Sequence, residues 1–215
     1  ASDRAGDVLM GVTFGWGAML LFIGPLWMRF DLRLDLPRLP MLKTMPLPGW
    51  RIVAAEIAAV TALHSVTVWS LMVVPVVMFL QEPALLSEVG ATIPIIVSVA
   101  VGVPVFNALM FTIQNGTALL FPAWVRLGTE ARGFETMGQN LLTTGATTLV
   151  AAIALVFPVG LGGLVLWITN DWGGWSVLVA TLLACAVVVA ELWPILLWLG
   201  GVFEQLDVSE VAASN

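Results

Sequence analysis

Long apolar stretches divide this 215-residue chain, separated by short polar segments. Val8 to Met28 runs without a charge, and Ile52 to Leu80 is interrupted only by Glu56 and His64. Val89 to Val125 is charge-free over 37 residues, too long for one spanning helix and too short for two. Its membrane part is expected at Thr92 to Ile113, kinked at Pro94 and Pro104, with the polar triplet Gln114-Asn115-Gly116 marking the exit. Met137 to Asn170 is charge-free over 34 residues, and the run Pro158-Val159-Gly160-Leu161-Gly162-Gly163 is expected to break or bend it. Trp175 to Val202 is apolar except for Glu191.

A helix crosses the hydrocarbon with about 20 apolar residues, so every stretch is long enough. A membrane β-barrel would need strict alternation of apolar and polar positions, which these runs lack. The pattern predicts an all-α integral membrane protein, one transmembrane domain over residues 1–215. About five transmembrane helices are expected, at 8–28, 52–80, 92–113, 138–168 and 175–202.

Composition agrees. The chain is 60% hydrophobic and 10% charged, against about 45–50% and about 25% in soluble domains. A soluble fold could not hide that much apolar surface. The net charge of −6 identifies no partner, and nucleic acid is not expected as one. The chain opens Ala1-Ser2-Asp3 without Met, which we read as a cut inside a longer protein.

Charge sets an expected orientation. Arg29, Arg33, Arg38, Lys43 and Arg51 occupy the first connection, and Arg126 and Arg132 follow the third helix. The turns at 81–90 and 170–174 carry no base. The positive-inside rule then puts the N-terminus outside and the C-terminus in the cytoplasm. Among the tryptophans, Trp27, Trp50, Trp124, Trp172, Trp175 and Trp198 fall near expected interfaces, whereas Trp16, Trp69 and Trp193 are expected to pack between helices.

Catalytic chemistry is hard to place. There is no phosphate-cradling G-x-x-x-x-G-K-[ST] loop, and the single His and single Cys, Cys185, make a zinc site implausible. No cofactor is expected. His64 and Ser65 are adjacent and so point to different helix faces, which argues against a hydrolytic dyad. Three ionisable groups fall within apolar runs. Glu56 is near Arg51 and is read as a structural partner of a base. His64 is read as a helix–helix hydrogen-bond partner rather than a proton carrier. Glu191 falls near mid-membrane, where ionisable groups usually face protein or a wet cavity. It is either a buried, bonded carboxyl or a group lining a substrate path, and both readings stay open.

The segment from Arg29 to Arg51 predicts one more element. Asp35 can cap a helix whose first turn tolerates Pro37, and Pro46 and Pro48 stop it. Leu36, Leu39 and Leu42 give it one apolar side while Arg38 and Lys43 stay in water. Such a short helix would lie along the membrane surface, where each base contributes about 1 kcal/mol of attraction to anionic lipid.

The same segment, with D-L-P-x-L-x-x-L-K-T-x-P-L followed by Trp50-Arg51 and Ile52-Val53-Ala54-Ala55-Glu56, resembles the permease subunits of ABC-type exporters. More narrowly it is similar to a bacterial group of ABC exporters. Leu120-Phe121-Pro122-Ala123-Trp124-Val125-Arg126-Leu127-Gly128, Gly133-Phe134-Glu135-Thr136-Met137-Gly138-Gln139-Asn140 and Phe203-Glu204-Gln205-Leu206-Asp207-Val208-Ser209 fit that group too, so the resemblance runs from about Arg29 to Ser209. It implies a location in the bacterial cytoplasmic membrane, and a separate ATPase subunit docking on a cytoplasmic coupling helix over Asp35 to Met45. Asp35, Arg38, Leu39, Leu42 and Lys43 would form that contact. A second permease half or copy would complete the transport path. Six helices are usual in such a half, so five with an outside N-terminus match the plan without its first helix. A non-transport membrane assembly or anchoring subunit is the alternative, and an intramembrane hydrolase using Ser65 or His64 is a third reading.

The orientation is testable by labelling single cysteines in a Cys185→Ser background. A thiol reagent confined to the outside should modify Ser87→Cys and spare Lys43→Cys. The opposite pattern would overturn the topology.

Overall fold

The computed structural model describes residues 2–27, 32, 39–81, 89–121 and 134–206. The described residues form helices α1 (Ser2–Trp27), α2 (Leu39–Lys43), α3 (Gly49–Gln81), α4 (Val89–Leu120), α5 (Phe134–Ile168) and α6 (Gly174–Gln205). A 3-10 turn at Asn170–Trp172 joins α5 to α6, and Gly173 enters the left-handed region there with φ 60°. Gly49–Met78, Thr92–Leu120, Leu141–Ile168 and Gly174–Gln205 are long and apolar enough to cross a membrane, and Gly11–Leu26 is a shorter apolar helix. The protein is an all-α, multi-pass membrane protein of about five such helices.

Two segments with polar or helix-breaking residues lie inside helices. The expected exit at Gln114-Asn115-Gly116 lies inside α4, which continues to Leu120. The triplet tolerates burial because each member is used: Gln114 Nε2 donates to the Pro25 carbonyl, Asn115 Nδ2 donates to the Phe111 carbonyl at 2.8 Å, and Gly116 packs under Leu199. Of the break or bend expected at Pro158 and its glycines, the break does not occur, since α5 runs from Phe134 to Ile168. A proline in a helix costs one amide donor and leaves the carbonyl four residues earlier unbonded, and neighbouring groups in a membrane bundle can satisfy such carbonyls. Every long helix here contains at least one proline.

α4 and α6 form the most extensive helix pair, α3 packs on both, α1 lies chiefly against α3, and α5 lies chiefly against α6. Lipid tails are as apolar as leucine, so helices join in a membrane through close packing and polar ties rather than hydrophobic burial. Glycine makes the closest approach. A Cβ on Gly200 would sit 2.4 Å from the Trp50 amide nitrogen, and one on Gly49 would sit 2.5 Å from the Gly200 carbonyl oxygen. The start of α3 and the end of α6 therefore touch backbone to backbone. Gly24 of α1 does the same for a side chain, since a Cβ there would meet His64 Cε1 at 2.5 Å.

Two apolar clusters fill the bundle. At the α2 end, Leu32, Val53, Ile57, Val60, Phe111, Leu119, Leu199 and Phe203 pack together. Further along, Leu109, Val188 and Leu192 make an apolar contact between α4 and α6, with Ala154 and Leu155 of α5 against it. The tryptophan expectation is corrected: Trp16, Trp69 and Trp193 are exposed rather than packed between helices. Trp193 meets Trp50 edge-on at 5.6 Å on the outside of the α3–α6 contact. An indole that large fits poorly into a seam where the backbones nearly touch.

Gly200 and its neighbour Gly201 give a matched test of that contact. Gly200→Ala should cost about 1–3 kcal/mol, the usual range for overpacking, because the atoms it meets are backbone. Gly201 has nothing within 4 Å of its Cβ position, so Gly201→Ala should be neutral or stabilising by up to about 1 kcal/mol. Unfolding by detergent titration, followed by circular dichroism, reads both.

Candidate functional site

The described part of the first connection is fastened to the bundle at Leu32, Leu42 and Lys43, while residues 40, 41 and 43–48 are exposed. α2 is short, Leu39 to Lys43, and Thr44 and Met45 close it with i→i−3 bonds to Met41 and Leu42. Two or three turns were expected over Asp35 to Met45. The described helix is little more than one turn, and Asp35, Leu36 and Arg38 lie outside the described residues. Leu39 is the first residue of α2, but its side chain also lies outside the description. Leu42 turns inward and packs against the Leu32–Val53–Phe203 cluster. Met41, Met45 and Leu47 are the apolar groups this segment exposes.

Lys43 is exposed to solvent but not unoccupied. Its Nζ donates to the Glu204 carbonyl at 3.1 Å and to the Leu206 carbonyl. The last carbonyls of a helix lack intrahelical donors and carry the negative end of its dipole, so an ammonium group there is favoured twice over. Glu204 faces the other way with its side chain, where Oε1 accepts the Gly49 amide at 2.7 Å. That amide is one of the unbonded donors opening α3, where negative charge is stabilising. One residue of α6 thus joins α2 through its backbone and α3 through its carboxylate. The basic segment and the end of α6 share one end of the bundle.

Leu32 belongs to the same end. Only 2% exposed, it is inserted among α3, α4 and α6, and its amide donates to Asn115 Oδ1 at 2.9 Å. An amide buried in that setting needs an acceptor, and Asn115 supplies it from α4.

A second polar group lies deeper. His64 is at the middle of the α3 span and Asn107 at the middle of the α4 span. His64 Nε2 bonds the Leu20 carbonyl of α1 at 3.1 Å, and its ring meets Phe111 edge-on at 5.7 Å. Asn107 Nδ2 donates to Ser65 Oγ at 3.0 Å. The adjacent His64 and Ser65 therefore serve different helices, α1 and α4. Glu56 is partly buried, two turns before His64 on α3. Glu191, partly buried at the middle of α6, has no hydrogen bond or ion pair among the described residues. No described group of three or more His, Cys, Asp or Glu side chains could hold a metal ion. Of the sequence candidates, then, Leu42 and Lys43 lie at the α2 end, Glu56 and His64 on α3, and Glu191 on α6.

Sequence reasoning missed Glu204, Asn107 and Asn115. Asn107, Gln114 and Asn115 recur at i, i+7 and i+8, the spacing of one helix face. That polar stripe inside a charge-free run was the available signal. Glu204 had none, since its partner is a backbone amide 155 residues away.

Comparison with known proteins adds no relative: no family model, curated protein or solved structure matches the chain.

The Lys43 tie predicts a graded series. A cation at an exposed helix C-terminus contributes about 0.3–1 kcal/mol, so Lys43→Met should cost about that much and Lys43→Arg less. Hydrogen exchange should speed up at the amides of residues 203–206 in Lys43→Met and remain slow at mid-helix amides of α6.

Proposed function

We propose that the chain is the transmembrane permease component of an ATP-driven ABC-type exporter in a bacterial cytoplasmic membrane. Its ATPase is a separate subunit, and its cytoplasmic contact is the segment containing α2. What supports the reading, beside the resemblance, is the tie between α2 and the spans. A short helix outside the membrane is fastened by Lys43 to the end of α6, which Glu204 in turn fastens to the start of α3. A displacement of α2 would be delivered to two long helices as a rigid-body motion, the kind of shift that moves a bundle between two shapes. Transport would follow from unequal substrate affinity in those shapes. On this reading the ATPase meets Met41, Met45 and Leu47, because Leu42 faces the bundle and Lys43 is engaged.

The test is co-purification and efflux with the ATPase encoded in a neighbouring reading frame, recognised by its phosphate-binding loop. Met41→Asp with Met45→Asp should lower co-purification at least tenfold and uncouple hydrolysis from efflux, while the helical spectrum is unchanged. The chain alone should show no ATP turnover. Partner binding and efflux both intact in the double variant would remove the coupling assignment. A chain that co-purifies with a soluble domain lacking ATPase activity would instead be an anchoring subunit.

A further inference from the structure

Three polar atoms at the α3–α4 contact have no hydrogen-bond partner among the described residues: Thr61 Oγ1, His64 Nδ1 and Asn107 Oδ1. The residues that carry them are neighbours. Thr61 stands three and four positions before His64 and Ser65 on α3, so its side chain is beside each of theirs although those two diverge. Asn107 is held opposite Ser65 by its own Nδ2, and Phe111, one turn further along α4, touches the His64 ring. His64 is 1% exposed and Asn107 0%. Buried polar groups are nearly always satisfied by protein or by an ordered water.

Hydrogen bookkeeping specifies what fits. The Leu20 carbonyl can only accept, so in a neutral ring the hydrogen sits on Nε2 and Nδ1 presents a lone pair. Asn107 Nδ2 is committed to Ser65, so its Oδ1 is a second acceptor. The Thr61 hydroxyl can donate. The occupant must give two hydrogens and accept one. It must also be uncharged, since Leu20, Gly24, Phe111 and Asn107 around it bring no counter-charge, and an unpaired ion at mid-membrane is costly.

We propose that the α3–α4 seam contains an internal water site, in which one water donates to His64 Nδ1 and Asn107 Oδ1 and accepts from Thr61 Oγ1. Three bonds is the usual number for a buried water. The site makes the α3–α4 seam wet at mid-membrane, whereas the α4–α6 contact at Leu109, Val188 and Leu192 is apolar. It does not depend on the transport reading.

The sole histidine makes the test specific. Full-length chain labelled with 15N-histidine and placed in lipid bilayers gives two ring nitrogens by solid-state NMR. The expected result is a protonated Nε2 and an unprotonated, hydrogen-bonded Nδ1 that receives magnetisation from water and loses it in D2O. Thr61→Val, which preserves shape, should reduce that transfer at least twofold with the Nε2 signal unmoved, and Asn107→Leu should abolish it. A protonated Nδ1, or transfer from lipid protons that survives D2O, would overturn the proposal. So would transfer unchanged in Thr61→Val, a variant that leaves the Asn107–Ser65 and His64–Leu20 bonds in place.

Discussion

In hydrocarbon a helix gains little from burying leucine and pays fully for each polar group left unbonded. Contacts between spans must then come from backbones brought close and from polar groups matched across the seam. The backbone contact of Gly49 with Gly200 is the strongest instance here, because a single methyl at either position would collide with main-chain atoms. It fixes the distance between the start of α3 and the end of α6. That distance is what lets the Glu204 carboxylate reach the Gly49 amide and leaves the last carbonyls of α6 beside Lys43. The same logic recurs at the other side of α3, where Gly24 makes room for the His64 ring and the ring takes up a carbonyl of α1.

The helical nature of the chain and the approximate number of long apolar helices were legible in the apolar runs, because the hydrocarbon thickness sets a minimum length that sequence reports directly. The end of α4 was not. Gln114-Asn115-Gly116 is polar enough to suggest an interface, and only the positions of Pro25, Leu32 and Leu199 show that each member has a partner. A polar residue in a charge-free run carries two meanings, exit or interhelical tie, and the sequence holds no record of which neighbour stands opposite. The tryptophans failed for a related reason. A position along an apolar run does not report which face of the helix a residue occupies, and Trp16 and Trp193, expected to face inward, face outward.

The candidate site was legible as a segment and illegible as a set of contacts. The leucine spacing predicted a short amphipathic helix, and of its three leucines Leu42 is the one whose packing is described, against the cluster at that end of the bundle. What it is buried against is this chain's own Leu32, Val53 and Phe203 cluster, so the apolar side stabilises the bundle and the exposed methionines remain for anything that binds from outside. Lys43 read as a surface charge and is exposed as one, yet its hydrogens are committed to the end of α6. Exposure measures access to solvent, while a role in the fold depends on what the group is bonded to.

These ties are unevenly distributed, and that has a mechanical consequence. α2, α3 and α6 are joined by backbone contact and charge-assisted bonds at one end, and α1 is fastened to α3 through His64. α5 rests on α6 through ordinary van der Waals contact, with Gly162 against Ala180 and Ala184 and an outer face of Ile153, Val156 and Trp167 left to lipid. Between α3 and α4 the mid-membrane contact is polar, through Ser65 and Asn107. Apolar packing that interdigitates must be pulled apart before helices can shift, whereas a polar contact can exchange one hydrogen-bond partner for another without losing bonds. That polar stretch of the α3–α4 seam is bounded toward α2 by the apolar packing of Val53, Ile57 and Val60 on Phe111 and Leu119, and Gln114 fastens α4 to α1 there as well, so the ties concentrate at the α2 end of the bundle.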